Sequence, residues 1–192
     1  MALFNRLFGK KTNPKKEAKS PYSPKKKQIK ELEFAQNFTD KGGKFLYSEN
    51  SEVTRKYFLQ ILNENGWDAH HVVTFSKNLK SFFQLPDTLE EKKVQLMNCE
   101  YMIANTGGIL ICSKQIQQKK LSELPENLII VANALHFVND VSEAMTLINT
   151  KYKNDLPTNI TTLNTFDPEK ENDFLSYGSS SKNLYLLVQD AN

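Results

Sequence analysis

Apolar positions along the chain alternate between a helical spacing and short unbroken runs, and that alternation predicts the elements. Ile29, Leu32, Ala35, Gln36 and Phe38 recur on one helical face and stop at Gly42-Gly43. Phe45, Leu46 and Tyr47 within Lys44–Ser48 read as a strand. Ser51 is a good cap for a second helix, with Val53, Tyr57, Phe58, Ile61 and Leu62 inward and Gly66 just past its end. Residues 72–75 read as a strand, and Leu79, Phe82, Phe83 and Leu85 as a short helix stopped by Pro86.

The centre of the chain carries two four-residue apolar runs, 101–104 and 109–112, around a polar turn of Asn105, Thr106, Gly107 and Gly108. Runs this short and apolar predict two strands of a hairpin. Paired glycines permit positive φ and leave backbone amides uncovered. The tip therefore has two readings, a plain turn or a place where a ligand approaches the backbone. Further on, residues 128–132 form a buried strand. Residues 141–152 form a helix with Ala144, Met145, Leu147 and Ile148 on one face, and 159–163 a β-branched strand. Residues 174–177 and 184–188 bracket a second polar loop of Gly178, Ser179, Ser180, Ser181, Lys182 and Asn183. Helices separate most of the strands, so the class is α/β with a largely parallel sheet. The two glycine-containing loops are hairpin-like excursions from it.

Composition adds organisation. A length of 192 residues with 39% hydrophobic content suffices for one domain with a real core. No apolar run is long enough to span a bilayer, and the N-terminus lacks the apolar segment of a signal peptide. Cys99 and Cys112 flank the central hairpin and fit a reduced, cytoplasmic setting. The net charge of +3 hides a split, with +9 in residues 1–30 and −6 in the remainder. Residues 1–28 therefore read as a basic disordered tail, and 29–192 as the folded domain. The tail has a short amphipathic tip bearing Leu3, Phe4, Leu7 and Phe8. An apolar tip on a polybasic tether matches the two-signal pattern for an anionic membrane surface, which would place the protein at the inner face of the membrane. The other readings are a solubilising tail or a nucleic-acid contact, the last disfavoured because stacking residues and a recognisable module are missing.

Candidate chemistry is sparse. Dinucleotide-binding and P-loop glycine patterns are absent. His70 and His71 are adjacent and would face opposite sides of a strand, and His136 has no evident carboxylate partner. Two cysteines cannot close a metal or iron–sulfur site, so no cofactor is expected on this chain. Ser179 to Lys182 has S-x-x-K spacing, but a β run follows instead of the helix that a serine acyl-enzyme needs. What remains is a donor-rich loop suited to an anion or to a solvated turn.

Two segments carry a family resemblance. Ile103-Ala104-Asn105-Thr106-Gly107-Gly108-Ile109-Leu110 resembles the I-A-[ED]-T-G-T-[IL]-[VL] motif of the LUD (lactate-utilisation) domain family. Residues 174–184 fall where that family carries D-I-E … V-x-G-x-H-G-P-x-x-L. The resemblance covers about residues 30–190. It implies a three-layer α/β sandwich resembling the NagB/RpiA/CoA-transferase fold, and work alongside separate iron–sulfur oxidoreductase subunits in oxidising L-lactate. Iron–sulfur clusters would then sit in those partner subunits alone. The chain departs from the pattern: Asn105 replaces the acid, Gly108 the second Thr, Ser180 the His and Lys182 the Pro. The ionisable groups that could move protons at these positions are thus absent. The expectation is a small anionic metabolite or nucleotide held by Asn105, Thr106, Gly107 and Gly108 from one loop and Gly178, Ser179, Ser180, Ser181 and Lys182 from the other. The alternative is a non-catalytic interaction protein recruited through its tail.

Overall fold

A computed structural model describes residues 29–165, apart from 89 and 154, together with residues 181–190. The basic tail, the expected strand at 174–177, and Gly178, Ser179 and Ser180 lie outside the described residues.

Helix α1 (Lys30–Thr39) leads into strand β1 (Lys44–Ser48) and buries Phe34, Ala35 and Phe38; of the expected face, Ala35 and Phe38 are buried, but Ile29 and Gln36 are exposed and Phe34 packs inward instead. Helix α2 (Ser51–Glu64) is capped by Asn50 and not by Ser51. The Asn50 side-chain oxygen accepts from the amides of Glu52 and Val53, each at 3.0 Å. Asn caps as well as Ser, so composition alone leaves the choice open by one position. The expected strand at 72–75 contracts to β2 (Val72–Val73), because Ser76 already caps helix α3 (Lys77–Phe82). His71 is not on a strand. It lies in a 3₁₀ turn, where its Nδ1 accepts from the Asp68 amide at 3.1 Å.

Strand β3 (Val94–Asn98) precedes the hairpin of β4 (Tyr101–Ile103) and β5 (Gly108–Ile111), and a single turn of helix, α4 (Ser113–Ile116), follows it. Strands β6 (Asn127–Asn133) and β7 (Phe137–Val138), helix α5 (Val141–Lys151), and strands β8 (Thr161–Thr165) and β9 (Ser181–Gln189) complete the chain. Strand β8 starts two residues later than its β-branched run, and β9 starts three residues earlier. Ser181, Lys182 and Asn183 are therefore strand, not loop. The reason is pairing: Asn183 opposes Asn127 of β6, while Ser181 and Lys182 oppose Asn164 and Thr165 of β8.

The nine strands form one sheet in the order β2-β3-β6-β9-β8-β5-β4-β7, with β1 alongside the later half of β9. Among the described strands, only β5 runs antiparallel to its neighbours. On one face, Phe58, Ile61 and Leu62 of α2 and Leu79 of α3 pack on Leu96, Ile129, Tyr185 and Leu187. On the other, Phe34 and Phe38 of α1 pack with Leu128, Ile130, Leu184 and Leu186. Met102, Ile109, Ile111 and Leu163 join that second core, because the sheet curls through β8 back over its own face. The outer side of the hairpin buries Ile103, Leu110 and Val138 against Ala144 and Ile148 of α5. Alternating parity along β6 and β9 feeds both cores, and each buried Leu, Ile or Phe contributes roughly 1.5–3 kcal/mol. The architecture is a three-layer α/β sandwich.

Candidate functional site

The central turn is built around a close approach. Gly107 has φ +67°, and a Cβ there would lie 2.5 Å from the Phe38 backbone nitrogen and 2.6 Å from the Asn37 carbonyl carbon. Only glycine lets the turn and the end of α1 meet at that distance. The contact is sewn shut. Asn37 Nδ2 donates to the Ala104 carbonyl at 2.8 Å, and Lys41 Nζ to the Thr106 carbonyl at 2.6 Å. The amides of Asn105 and Gly107 donate to the carbonyls of Asn139 and Ile103, and the Gly108 amide to Thr106 Oγ1. These amides are engaged within the fold, in contrast to the expectation of uncovered donors, while the Asn105 and Thr106 side chains remain exposed.

Across the sheet, the Gly108 Cα faces Thr162 and Asn164 of β8, and Asn164 in turn opposes Ser181 of β9. The described parts of the two expected loops are thus separated by one strand, roughly 10 Å in the pairing direction. Lys182 turns inward instead of lining an outer loop. It is 6% exposed, and its Nζ donates to the Leu124 carbonyl at 3.1 Å. Burial pushes its ammonium below the usual lysine range, opposed in part by Glu126.

A second polar cluster, not anticipated from the sequence, gathers at the base of the hairpin. Glu100 follows the carboxyl end of β3 and is 2% exposed. Its Oε2 accepts from Lys151 Nζ at 2.8 Å. Its Oε1 accepts from Gln115 Nε2 at 2.7 Å and from Tyr152 Oη at 2.9 Å, with Cys112 Sγ at 3.5 Å. Burial opposes ionisation of Glu100, but the bonds from Lys151, Gln115 and Tyr152 prevail and hold its carboxyl below the ordinary range. Desolvation opposes the Lys151 ammonium in turn, but its own contacts with Glu100 and Tyr152 prevail and raise it.

His136 comes from the 3₁₀ turn after β6, the neighbour of β3. Its ring lies edge-on to Tyr101 at 6.2 Å, and its buried Nδ1 meets no partner among the described residues. Burial and then Lys151 push its pKa down, while Glu100 acts in the opposite sense. Cys99 and Cys112 are buried free thiols, raised by burial to about 12 and about 11, so neither is a thiolate nucleophile at neutral pH. Among the described residues, no group of three or more His, Cys, Asp or Glu side chains could hold a metal ion.

The LUD-domain family model matches residues 73–183. Among solved structures, a DUF162 family protein from Deinococcus radiodurans, determined by crystallography at 1.70 Å, superposes with a TM-score of 0.59 at 16% identity. The match covers 83% of this chain and 96% of that one, a likeness of fold. No curated protein matches the chain.

Proposed function

From the premise that this chain belongs to the LUD-domain family, we propose that it binds a small anionic metabolite, an organic acid or a phosphorylated compound or nucleotide, at the base of its hairpin. In this reading it is an accessory module of lactate or organic-acid oxidation, working beside iron–sulfur partner proteins. The observation that carries the binding reading is the convergence at Glu100. Gln115, His136, Lys151 and Tyr152 reach this corner from three further segments, at the carboxyl ends of the adjacent parallel strands β3 and β6. Open α/β sheets place ligands outside the carboxyl ends of their strands. Glu100 is already saturated with donors, so it positions Lys151 and Tyr152 and touches no ligand itself. The Lys151 side chain is 50% exposed and can offer its remaining donors to an incoming carboxylate or phosphate. His136 supplies the unsatisfied ring nitrogen.

NMR of the imidazole resonances tests this, with lactate, pyruvate, sugar phosphates, nucleotides and coenzyme A added in turn to the full chain. A ligand should move the His136 signals and leave those of His70 and His71 in place, and Lys151→Met should weaken that response about tenfold in apparent affinity. A panel in which nothing shifts His136 overturns the assignment.

A further inference from the structure

The chain has one Asn-Gly pair, Asn65-Gly66, and it closes helix α2. The helix stops in a Schellman motif: the Trp67 amide donates back to the Leu62 carbonyl at 2.8 Å, and the Gly66 amide to the Asn63 carbonyl at 3.1 Å. That motif needs a residue at positive φ, and Gly66 supplies it at +64°. Gly66 is exposed, and a Cβ there would meet nothing within 4 Å. The backbone alone therefore asks for glycine, at a position that water reaches.

An Asn-Gly pair carries its own chemistry. The glycine nitrogen, unscreened by any side chain, can attack the side-chain carbonyl carbon of the asparagine before it. A C–N bond forms, the Cγ–NH2 bond breaks, ammonia leaves and a five-membered succinimide results. Water then opens the ring to aspartate or isoaspartate. The attack needs nitrogen and carbon in a near-attack geometry, and here both are held away from it. The Gly66 N–H is committed to Asn63, Asn65 Nδ2 donates to the Ile61 carbonyl at 2.7 Å, and Asn65 Oδ1 accepts from Tyr185 Oη at 2.8 Å. Tyr185 is itself fixed. It is 4% exposed, its Oη accepts from Lys44 Nζ at 2.7 Å, and the Trp67 ring stands edge-on to it at 6.2 Å. The amide bond to Asn63 and both side-chain bonds must open before the two atoms can meet.

We propose that Asn65 is a modification site, a spontaneous deamidation held latent by the Tyr185 hydroxyl and the helix-end bonds and released when the end of α2 frays. The products do not fit the position that made them. A carboxylate oxygen in place of Nδ2 faces the Ile61 carbonyl, acceptor against acceptor. Isoaspartate also adds a methylene to the main chain just before Gly66, which carries the Gly66 amide off Asn63. The change thus marks each chain that has opened there, and it loosens the helix end that seats Ile61 and Leu62 in the core.

Peptide mass spectrometry tests the site on the full chain held in mildly alkaline buffer, native and in urea, with aspartate and isoaspartate resolved. In the unfolded chain residue 65 should convert before every other asparagine, and in the native protein about a hundredfold more slowly. Tyr185→Phe removes one of the holding bonds and should quicken the native rate about fivefold. Lys44→Met leaves the bond between Tyr185 and Asn65 in place and should keep the wild-type rate. In sub-denaturing urea the wild-type rate should rise ahead of the global transition, as fraying precedes unfolding. Conversion as fast folded as unfolded, an unchanged rate in Tyr185→Phe, or an equal quickening in both variants overturns the proposal. So does, should Tyr185→Phe fail to fold, a wild-type rate that follows global unfolding alone.

Discussion

Glu100 and Lys182 are both charged groups sealed inside the sandwich, and the fold treats them in opposite ways. The carboxylate is surrounded by Lys151, Tyr152, Gln115 and the Cys112 thiol, drawn from two helices and the hairpin's other arm. Among the described residues, the ammonium is given one backbone carbonyl and, beside it on β8, a threonine whose hydroxyl is unpartnered. A matched buried charge organises its surroundings, since each donor that it holds is fixed in direction. An unmatched one is a standing cost, and sequences retain such groups where a partner arrives from outside. The pair thus separates a charge that the fold satisfies from one that it leaves short of partners.

The comparison breaks most visibly at Glu100. Glu100→Ala strands the Tyr152 hydroxyl and the Gln115 amide and leaves Lys151 without its partner. Removing one member of a buried pair is strongly destabilising, and with Lys151 half in solvent a loss of about 3 kcal/mol is expected in urea unfolding. Lys182→Met, in contrast, should cost less than about 1 kcal/mol without added anion, because an apolar chain of similar length replaces a poorly satisfied charge. Similar losses from both substitutions would show that Lys182 is as well matched as Glu100.

Titration sharpens the contrast, since the two groups give pH dependences in different windows. Glu100 has its folded pKa depressed, so its contribution is present above the unfolded value near 4.3 and is lost as pH falls through the folded value. Lys182 is depressed as well, but for a lysine that is a penalty. The cost is full at neutral pH and is relieved as pH rises from the lowered folded value toward the unfolded value of about 10.4. Denaturant midpoints measured across pH should therefore show an acid limb that Glu100→Ala removes. The wild-type curve should also gain on Lys182→Met in alkali. An unchanged difference between wild type and Lys182→Met from neutral to alkaline pH would contradict a depressed Lys182.

How legible these groups were in the sequence follows from the range of their contacts. The hairpin is visible because its strands and turn are contiguous, and the α2 face because periodicity is local, whereas the α1 face is read one position off and misses Phe34. The need for glycine at 107 was visible, but its cause, the backbone of Asn37 and Phe38, lies some seventy residues earlier. Strand β3 leaves no clear trace in the sequence because Gln95 and Asn98 interrupt its apolar run, although Gln95 is buried. Lys151 and Tyr152 read as the polar end of an amphipathic helix, and nothing local ties them to a residue fifty positions away. One signal was available: Glu100 is a lone charge within the apolar stretch from 99 to 104, where burial demands a partner. The serines before Lys182 favour a turn and so point to a loop, whereas pairing with β8 at Lys182 and with β6 from Asn183 draws the strand back over it.

The smallest effects come from deleting a single hydroxyl on each side. Tyr152→Phe removes one donor from a carboxylate that retains Lys151 and Gln115, so a loss of about 1 kcal/mol is expected, well short of removing Glu100 itself. Thr165→Val removes a hydroxyl whose oxygen is buried and bonded to nothing among the described residues. A buried orphan costs about 1–3 kcal/mol, so in anion-free buffer the valine variant should equal the wild type or exceed it by up to about 1 kcal/mol. If Thr165→Val is instead the less stable protein by more than about 1 kcal/mol, the hydroxyl serves the fold, and the distinction between a matched and an unmatched interior charge loses its clearest local witness.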